Sequence, residues 1–151
     1  MDINNYVYHV TFGLGIVKEL SYGEIKVVFL NGMPKTFMRH QDLSKYFDVI
    51  DPVLVKAIMN FEDRYNESAL IKGKEYFNEN KVGNITFESD SFYCDVTGTH
   101  LYSVLVKLKH GNISYSCNCP VNGVCKHFTA VLYKAKYLFL ELKKLVEPTN
   151  Q

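Results

Sequence analysis

Apolar and polar positions alternate in short runs over the first fifty residues, the signature of strands whose successive side chains point to opposite faces. The stretch "GEIKVVFLNG" puts Ile25, Val27 and Phe29 on one side of an extended segment, and "YVYHVTFGLGIVKEL" alternates more loosely ahead of it. "LNGMP" is a turn, because Asn-Gly supplies the positive φ angles of a tight hairpin, and "KTFMRH" is a further strand. Short strands at this spacing predict a small barrel over residues 1–50 that closes on itself and hides its edges, with Phe12, Tyr22, Phe29 and Phe37 in its core.

The period then changes. "DPVLVKAIMNFEDRY" carries Leu54, Ala57, Ile58 and Phe61 at helical spacing, with Asp51 as cap and Pro52 in the first turn. A second helical piece, "SALIKGKEYFNEN", has Ser68 as its candidate cap. Together they predict a helical connector over residues 51–81. Strand patterns return in "VGNITFES", "SFYCDVTG", "LYSVLVKLK" and "NISYSC", with His110-Gly111 as a turn. From Val124 the apolar positions Phe128, Val131, Leu132, Ala135, Leu138, Phe139, Leu142 and Leu145 recur every three or four residues, which predicts a long helix closed by Pro148. Tyr133, Tyr137 and Leu140 fall largely off that stripe and are expected to stack on bases, to pack on a partner or, equally, to bury against the barrel. The expected fold class is α+β, with residues 82–147 as the second domain.

Composition narrows the class less than charge does. Of 151 residues, 47% are hydrophobic and 22% charged, and the net charge is +1. Residues 1–50 carry five charges of each sign, residues 51–99 five basic and nine acidic, and residues 100–151 seven basic and two acidic. The basic excess therefore lies in the C-terminal third, where Lys107, Lys109, Lys126, Lys134 and Lys136 are candidate phosphate contacts. Lys134 and Lys136 diverge by about 200° on a helix and cannot share one phosphate row. The start "MDINNYVYHV" has no basic segment leading into an apolar core, so no secretory leader is expected. No apolar run is long enough to span a bilayer. The expected setting is the cytoplasm, where clustered cysteines act as metal ligands before they act as disulfides.

That cluster is "SCNCPVNGVCKHF", residues 116–128. Cys117 and Cys119 are two apart, so on an extended segment both sulfurs face one point. "PVNG" turns the chain back, and Cys125 and His127 meet the start of the last helix. Mid-helix they would diverge, so Cys125 belongs at or before the cap and His127 in the first turn. Three thiolates and one imidazole make a closed tetrahedral set for one structural Zn2+. There is no nucleophile–base pair, no phosphate-binding loop and no open coordination position, so no enzyme activity is expected. Cys94 reads as a buried core thiol, His9 as part of the first bend and His110 as a turn residue.

With these residues in place, the region resembles the SWIM zinc finger, whose pattern is Cys-x-Cys followed by Cys-x-His. Gly73-x-x-Tyr76-Phe77 is similar to the segment leading into the family's first strand. Val96-x-Gly98-x-x-x-Tyr102-x-Val104 is similar to its strand pair, and "CKHFTAVLY" to its helix. The likeness covers about residues 68–135; one departure is the short loop between Cys119 and Cys125. It implies a ββα zinc fold that binds DNA or works beside Swi/Snf-type helicases. The N-terminal pattern Val7-x-His9-x-x-Phe12-Gly13-x-Gly15-x-Val17, followed by Val27-Val28-Phe29, resembles the Tudor-like or SH3-like barrels appended to bacterial repair helicases and transcription factors. Those barrels contact RNA polymerase or other proteins. The expected partners are therefore DNA or a DNA-processing protein such as a helicase or RNA polymerase, with no membrane and no small-molecule substrate. The alternative is a protein–protein adaptor that never touches nucleic acid.

Overall fold

The computed structural model describes residues 1–121 and 123–147. Five strands form the first sheet: β1 (Tyr6–His9), β2 (Gly13–Leu20), β3 (Glu24–Phe29), β4 (Pro34–Met38) and β5 (Phe47–Val49). Their order is β4-β3-β2-β1-β5, all neighbours antiparallel. The register between β2 and β3 slips between Val17 and Glu19, a bulge of the kind that bends a strand and raises its twist.

Both faces of this sheet are buried. On one, Val7, Val17, Ile25, Val27, Phe29 and Phe47 form a separate core with Phe37 packed against it. On the other, Tyr6, Leu14, Ile16 and Val28 join the main core. Gly15 is required by close approach, since a Cβ there would lie 2.8 Å from a Val27 methyl and 2.9 Å from the Phe29 ring.

The barrel predicted for residues 1–50 does not close. Strands β4 and β5 remain two open edges. Backbone pairing cannot bridge the gap because β5 has only three residues, with a 3-10 turn at Leu43–Lys45 before it. Side chains cross it instead, with the Phe37 and Phe47 rings edge-to-face at 4.9 Å. Two of the four aromatic residues expected in this core lie outside it. Tyr22 is wholly exposed between β2 and β3, and Phe12 is 42% exposed. Both sit at hairpin turns, where alternation no longer reports which way a side chain points.

The connector holds α1 (Pro52–Met59), a 3-10 turn at Phe61–Asp63, and α2 (Glu67–Asn78). Asp51 caps α1, its carboxylate accepting from the Val53 amide at 2.8 Å. The single helix expected over 51–65 breaks at Asn60, whose side-chain amide donates back to the Lys56 carbonyl at 3.0 Å. The cap of α2 is Asn66 and not Ser68, with the Asn66 side chain accepting from the Ala69 amide at 2.8 Å.

The second sheet is a meander of β6 (Thr86–Phe87), β7 (Ser91–Thr97), β8 (Leu101–Lys109) and β9 (Asn112–Cys117). His110 and Gly111 make the β8–β9 turn with φ of +51° and +81°, the pair of positive angles that a two-residue hairpin needs. Phe92, Cys94, Val96, Val104 and Val106 face the core, while Tyr93, Leu105 and Lys107 face out.

Helix α3 (Lys126–Val146) lies between the two sheets and contributes Phe128, Val131, Leu132, Ala135, Phe139 and Leu142 to the main core. Leu145, expected on this stripe, is 45% exposed near the helix end. Pro148, expected to end the helix, lies outside the described residues. Tyr6 donates its hydroxyl to the Phe139 carbonyl at 2.9 Å, which ties the first strand to the middle of α3. Gly73 lets α2 meet α3 closely. A Cβ there would overlap the Thr129 hydroxyl, which donates to the Ala69 carbonyl at 2.7 Å. Among the described residues, no helix is long and apolar enough to cross a membrane.

Candidate metal centre

The β8–β9 hairpin, the chain reversal after it and the start of α3 bring Cys117, Cys119, Cys125 and His127 together, with their ligand atoms all within 4.8 Å of one another. Cys117 is the last residue of β9, and Cys119 follows in the reversal. Cys125 is the N-cap of α3, its sulfur accepting from the Phe128 amide at 3.4 Å, and His127 falls in the first turn. These are the positions that strand and helix periods require. Helix α3 begins at Lys126, two residues later than the apolar pattern suggested, because Cys125 takes the cap.

One edge of the cluster can be compared with metal geometry. Cys117 Sγ and His127 Nδ1 are 3.7 Å apart. Zn–S near 2.3 Å and Zn–N near 2.0 Å give a tetrahedral edge of about 3.5 Å. His127 is buried, and its Nε2 has no hydrogen-bond partner among the described residues. A buried imidazole whose nearest polar neighbour is a thiol is costly unless something else satisfies it. A cation bound through Nδ1 among the sulfurs would take up that nitrogen and leave Nε2 as it is, and the donor set of three soft thiolates and one imidazole suits zinc.

The electrostatics of the metal-free cluster point the same way. Burial pushes the Cys117 thiol up to about 12 and raises Cys125 as well. Burial also acts upward on Cys119, but the Val121 amide and the neighbouring Cys117 and Cys125 thiols outweigh it and hold Cys119 below the usual range. Without a cation the three thiols thus resist ionising together, whereas a divalent ion stabilises the thiolates it binds. His127 is held below its ordinary value by burial first and by Lys126 second, which favours the neutral imidazole that a ligand must be.

Aromatic rings hold the frame. Tyr102 stacks on His127 at 4.1 Å between centroids, and Tyr76 stands edge-on to it at 5.5 Å. Tyr115 stacks on Phe128 at 3.9 Å and donates its hydroxyl to the Gly123 carbonyl. Asn118, between the first two cysteines, accepts from the Ser103 amide at 2.9 Å.

The candidate lysines fare differently. Lys134 donates to the carbonyls of Val82 at 3.0 Å and Gly83 at 2.6 Å. Lys136 pairs with Glu62 at 2.7 Å. Both ammonium groups are engaged within the chain. Lys107 and Lys109 are exposed on β8. Lys126 stays beside the candidate ligands Cys125 and His127, its ammonium 4.9 Å from the Tyr76 ring centroid. Lys81, which the sequence did not single out, lies over the same ring at 4.3 Å. Tyr133 and Tyr137, left free by the helical stripe, pack on Phe61 at 4.8 Å and Phe77 at 5.7 Å. Cys94 is buried apart from the cluster, with burial pushing its thiol up to about 11. His9 sits in the first bend, its Nδ1 accepting from the Thr11 and Phe12 amides at 3.0 and 3.1 Å.

No family model matches the chain, and neither a curated protein nor a solved structure does.

Proposed function

We propose that this chain is a non-enzymatic binding module, stabilised by one structural Zn2+, that acts on DNA or docks onto a DNA-processing complex. The observation that carries the reading is the convergence of Cys117, Cys119, Cys125 and His127 on one point. Four protein ligands fill a tetrahedral zinc and leave no position for substrate or water. The ion then acts by cross-linking the end of β9 to the start of α3. The order of the ligands, with Gly73, Tyr76 and Phe77 upstream, supports assignment to the SWIM-like ββα zinc fingers, and it brings DNA and Swi/Snf-type helicases as the expected partners. The lysine-rich C-terminal third agrees with a phosphate-bearing target.

A second reading is favoured by a separate observation. Val10, Phe12, Leu30, Met33 and Tyr46 are exposed apolar residues in the turns at one end of the first sheet. Such a concentration suits a protein surface, as in the Tudor-like modules that contact RNA polymerase. The chain is then an adaptor that docks through its N-terminal sheet.

The deciding experiment has two stages. Metal analysis of protein purified without chelators should give one zinc per chain, and none removes the reading at its base. Fluorescence anisotropy with duplex and single-stranded DNA probes at about 50 and about 200 mM salt then separates the two functions. Metal-dependent, salt-sensitive binding supports the nucleic-acid reading. No binding at the lower salt overturns it in favour of the adaptor.

A further inference from the structure

We propose that Lys81 and Lys126, gathered on the Tyr76 ring beside the metal centre, are the phosphate-contacting edge of the chain, taking backbone phosphates of a nucleic acid without regard to sequence. This rests on the nucleic-acid reading above and names the surface that reading lacks.

The two lysines come from segments far apart in the chain, Lys81 after α2 and Lys126 at the first position of α3. The fold brings both ammonium groups within 4.9 Å of one ring centroid. The ring itself is fixed. Tyr76 is edge-on to His127, and the Gly98 backbone is so close that a Cβ would lie 3.2 Å from the Tyr76 hydroxyl and 3.0 Å from the Tyr102 ring. Thr99 and Tyr102 share a hydroxyl hydrogen bond at 3.1 Å, which holds the loop after β7 against the same place. Lys126 is further constrained because both its chain neighbours are metal ligands. The positive charge is therefore placed before any ligand arrives, which lowers the ordering cost of binding.

The competing lysines are less suited. Lys134 and Lys136 are committed to partners within the chain. Lys107 and Lys109 stand toward the other end of β8, roughly 17 Å or more from Tyr102 at about 3.4 Å per residue. Among the described residues, the acidic side chain paired to these lysines is Glu79, 2.8 Å from Lys81 and largely exposed. An exposed pair of this kind is screened by solvent and readily exchanged for a phosphate oxygen. With ammonium groups over its face, the Tyr76 ring is no platform for a base. The contact is to phosphate, and binding should not discriminate among duplex sequences.

The test is the salt dependence of duplex binding by the full chain, with zinc content measured for every variant. The double variant Lys81→Gln/Lys126→Gln should lower the magnitude of the slope of log K against log salt by about 1.8, at about 0.9 per phosphate contact. The single variant Lys81→Gln, which touches no ligand neighbour, should lower it by about 0.9. The control Lys18→Gln/Lys45→Gln removes the same charge from exposed sites on the first sheet and its linker and should leave the slope unchanged. Wild-type binding with an unaltered slope in zinc-loaded Lys81→Gln would overturn this inference and leave the DNA reading standing. The two lysines would then only offset the negative charge of the thiolates. An equal loss in the control also overturns it, since net charge alone would explain that result. Absence of binding by the wild type overturns the DNA reading and this inference with it.

Discussion

The two ends of the chain solve the same problem by different means. Each must hold short strands and reversing loops against a modest core. The first sheet does so with rings. His9, 6% exposed, is stacked on Phe12 at 4.7 Å and edge-on to Phe47 at 4.7 Å, with Phe37 at 5.5 Å. Its Nδ1 ties down two amides of the β1–β2 turn. Rings also flank the corner between β9 and α3, where Tyr102 and Tyr76 pack on His127 and Tyr115 on Phe128, but Asn118, Val121 and Gly123 in its loop are exposed. What it adds is the cluster of Cys117, Cys119, Cys125 and His127, close enough together to hold a metal ion. One region relies on side chains alone, and the other, if its cluster holds zinc as proposed, would draw part of its stability from an ion. That difference predicts where each region fails.

The largest effect is expected from Cys125→Ala, which removes a metal ligand and the α3 cap together. Zinc should fall from one per chain to none, and amide protection should collapse over about residues 112–135 while residues 6–49 keep theirs. If hydrogen exchange shows both regions opening together, the main core that joins them dominates and the contrast breaks. The reverse experiment is Phe29→Ala. It should cost about 3–5 kcal/mol, read as a lower denaturant midpoint, while the zinc stoichiometry stays at one. Loss of zinc in that variant would show that the first sheet supports the metal corner after all.

Smaller effects sharpen the picture. Gly73→Ala inserts a methyl where Thr129 already sits and should cost about 1–3 kcal/mol as an overpacked helix contact. A neutral outcome would mean that α2 rides off α3 without penalty. The smallest effect is the pH response of the His9 turn. Burial holds the His9 imidazole below its ordinary 6.5, so between the unfolded and folded values the unfolded chain binds the extra proton. The turn's stability is full above about 6.5 and falls as pH drops toward the lower folded value. Protonating Nδ1 also sets a donor against the Thr11 and Phe12 amides. Exchange of those two amides should accelerate at acid pH relative to the β3–β4 hairpin, whereas a pH-independent ratio would remove His9 from this role.

The candidate metal ligands were legible because all four lie within eleven consecutive residues, 117 to 127, where strand and helix periods alone dictate direction. The α3 stripe and the His110-Gly111 turn were legible for the same reason, being local. The open edges of the first sheet were not, because closure depends on whether β4 and β5 can pair across a linker, and alternation within a strand says nothing about that. The surroundings of the site were hidden by distance along the chain. Tyr76 packs on His127 from about fifty residues upstream and carries Lys81 on its ring, and Lys134 and Lys136 find their partners near residues 83 and 62. A lysine's charge is visible in a sequence, but whether that charge is already spent is a tertiary fact.

The bond from the Tyr6 hydroxyl to the Phe139 carbonyl gives α3 the character of a spar pinned at two stations. His127 and Phe139 are twelve residues apart, about 18 Å along a helix at 1.5 Å per residue. A stiff rod held at both stations cannot swing at one without pulling at the other. An ion loaded at one end would then be felt by the first strand at the far end. A load on the N-terminal sheet would then reach the Cys/His corner along the helix without touching it.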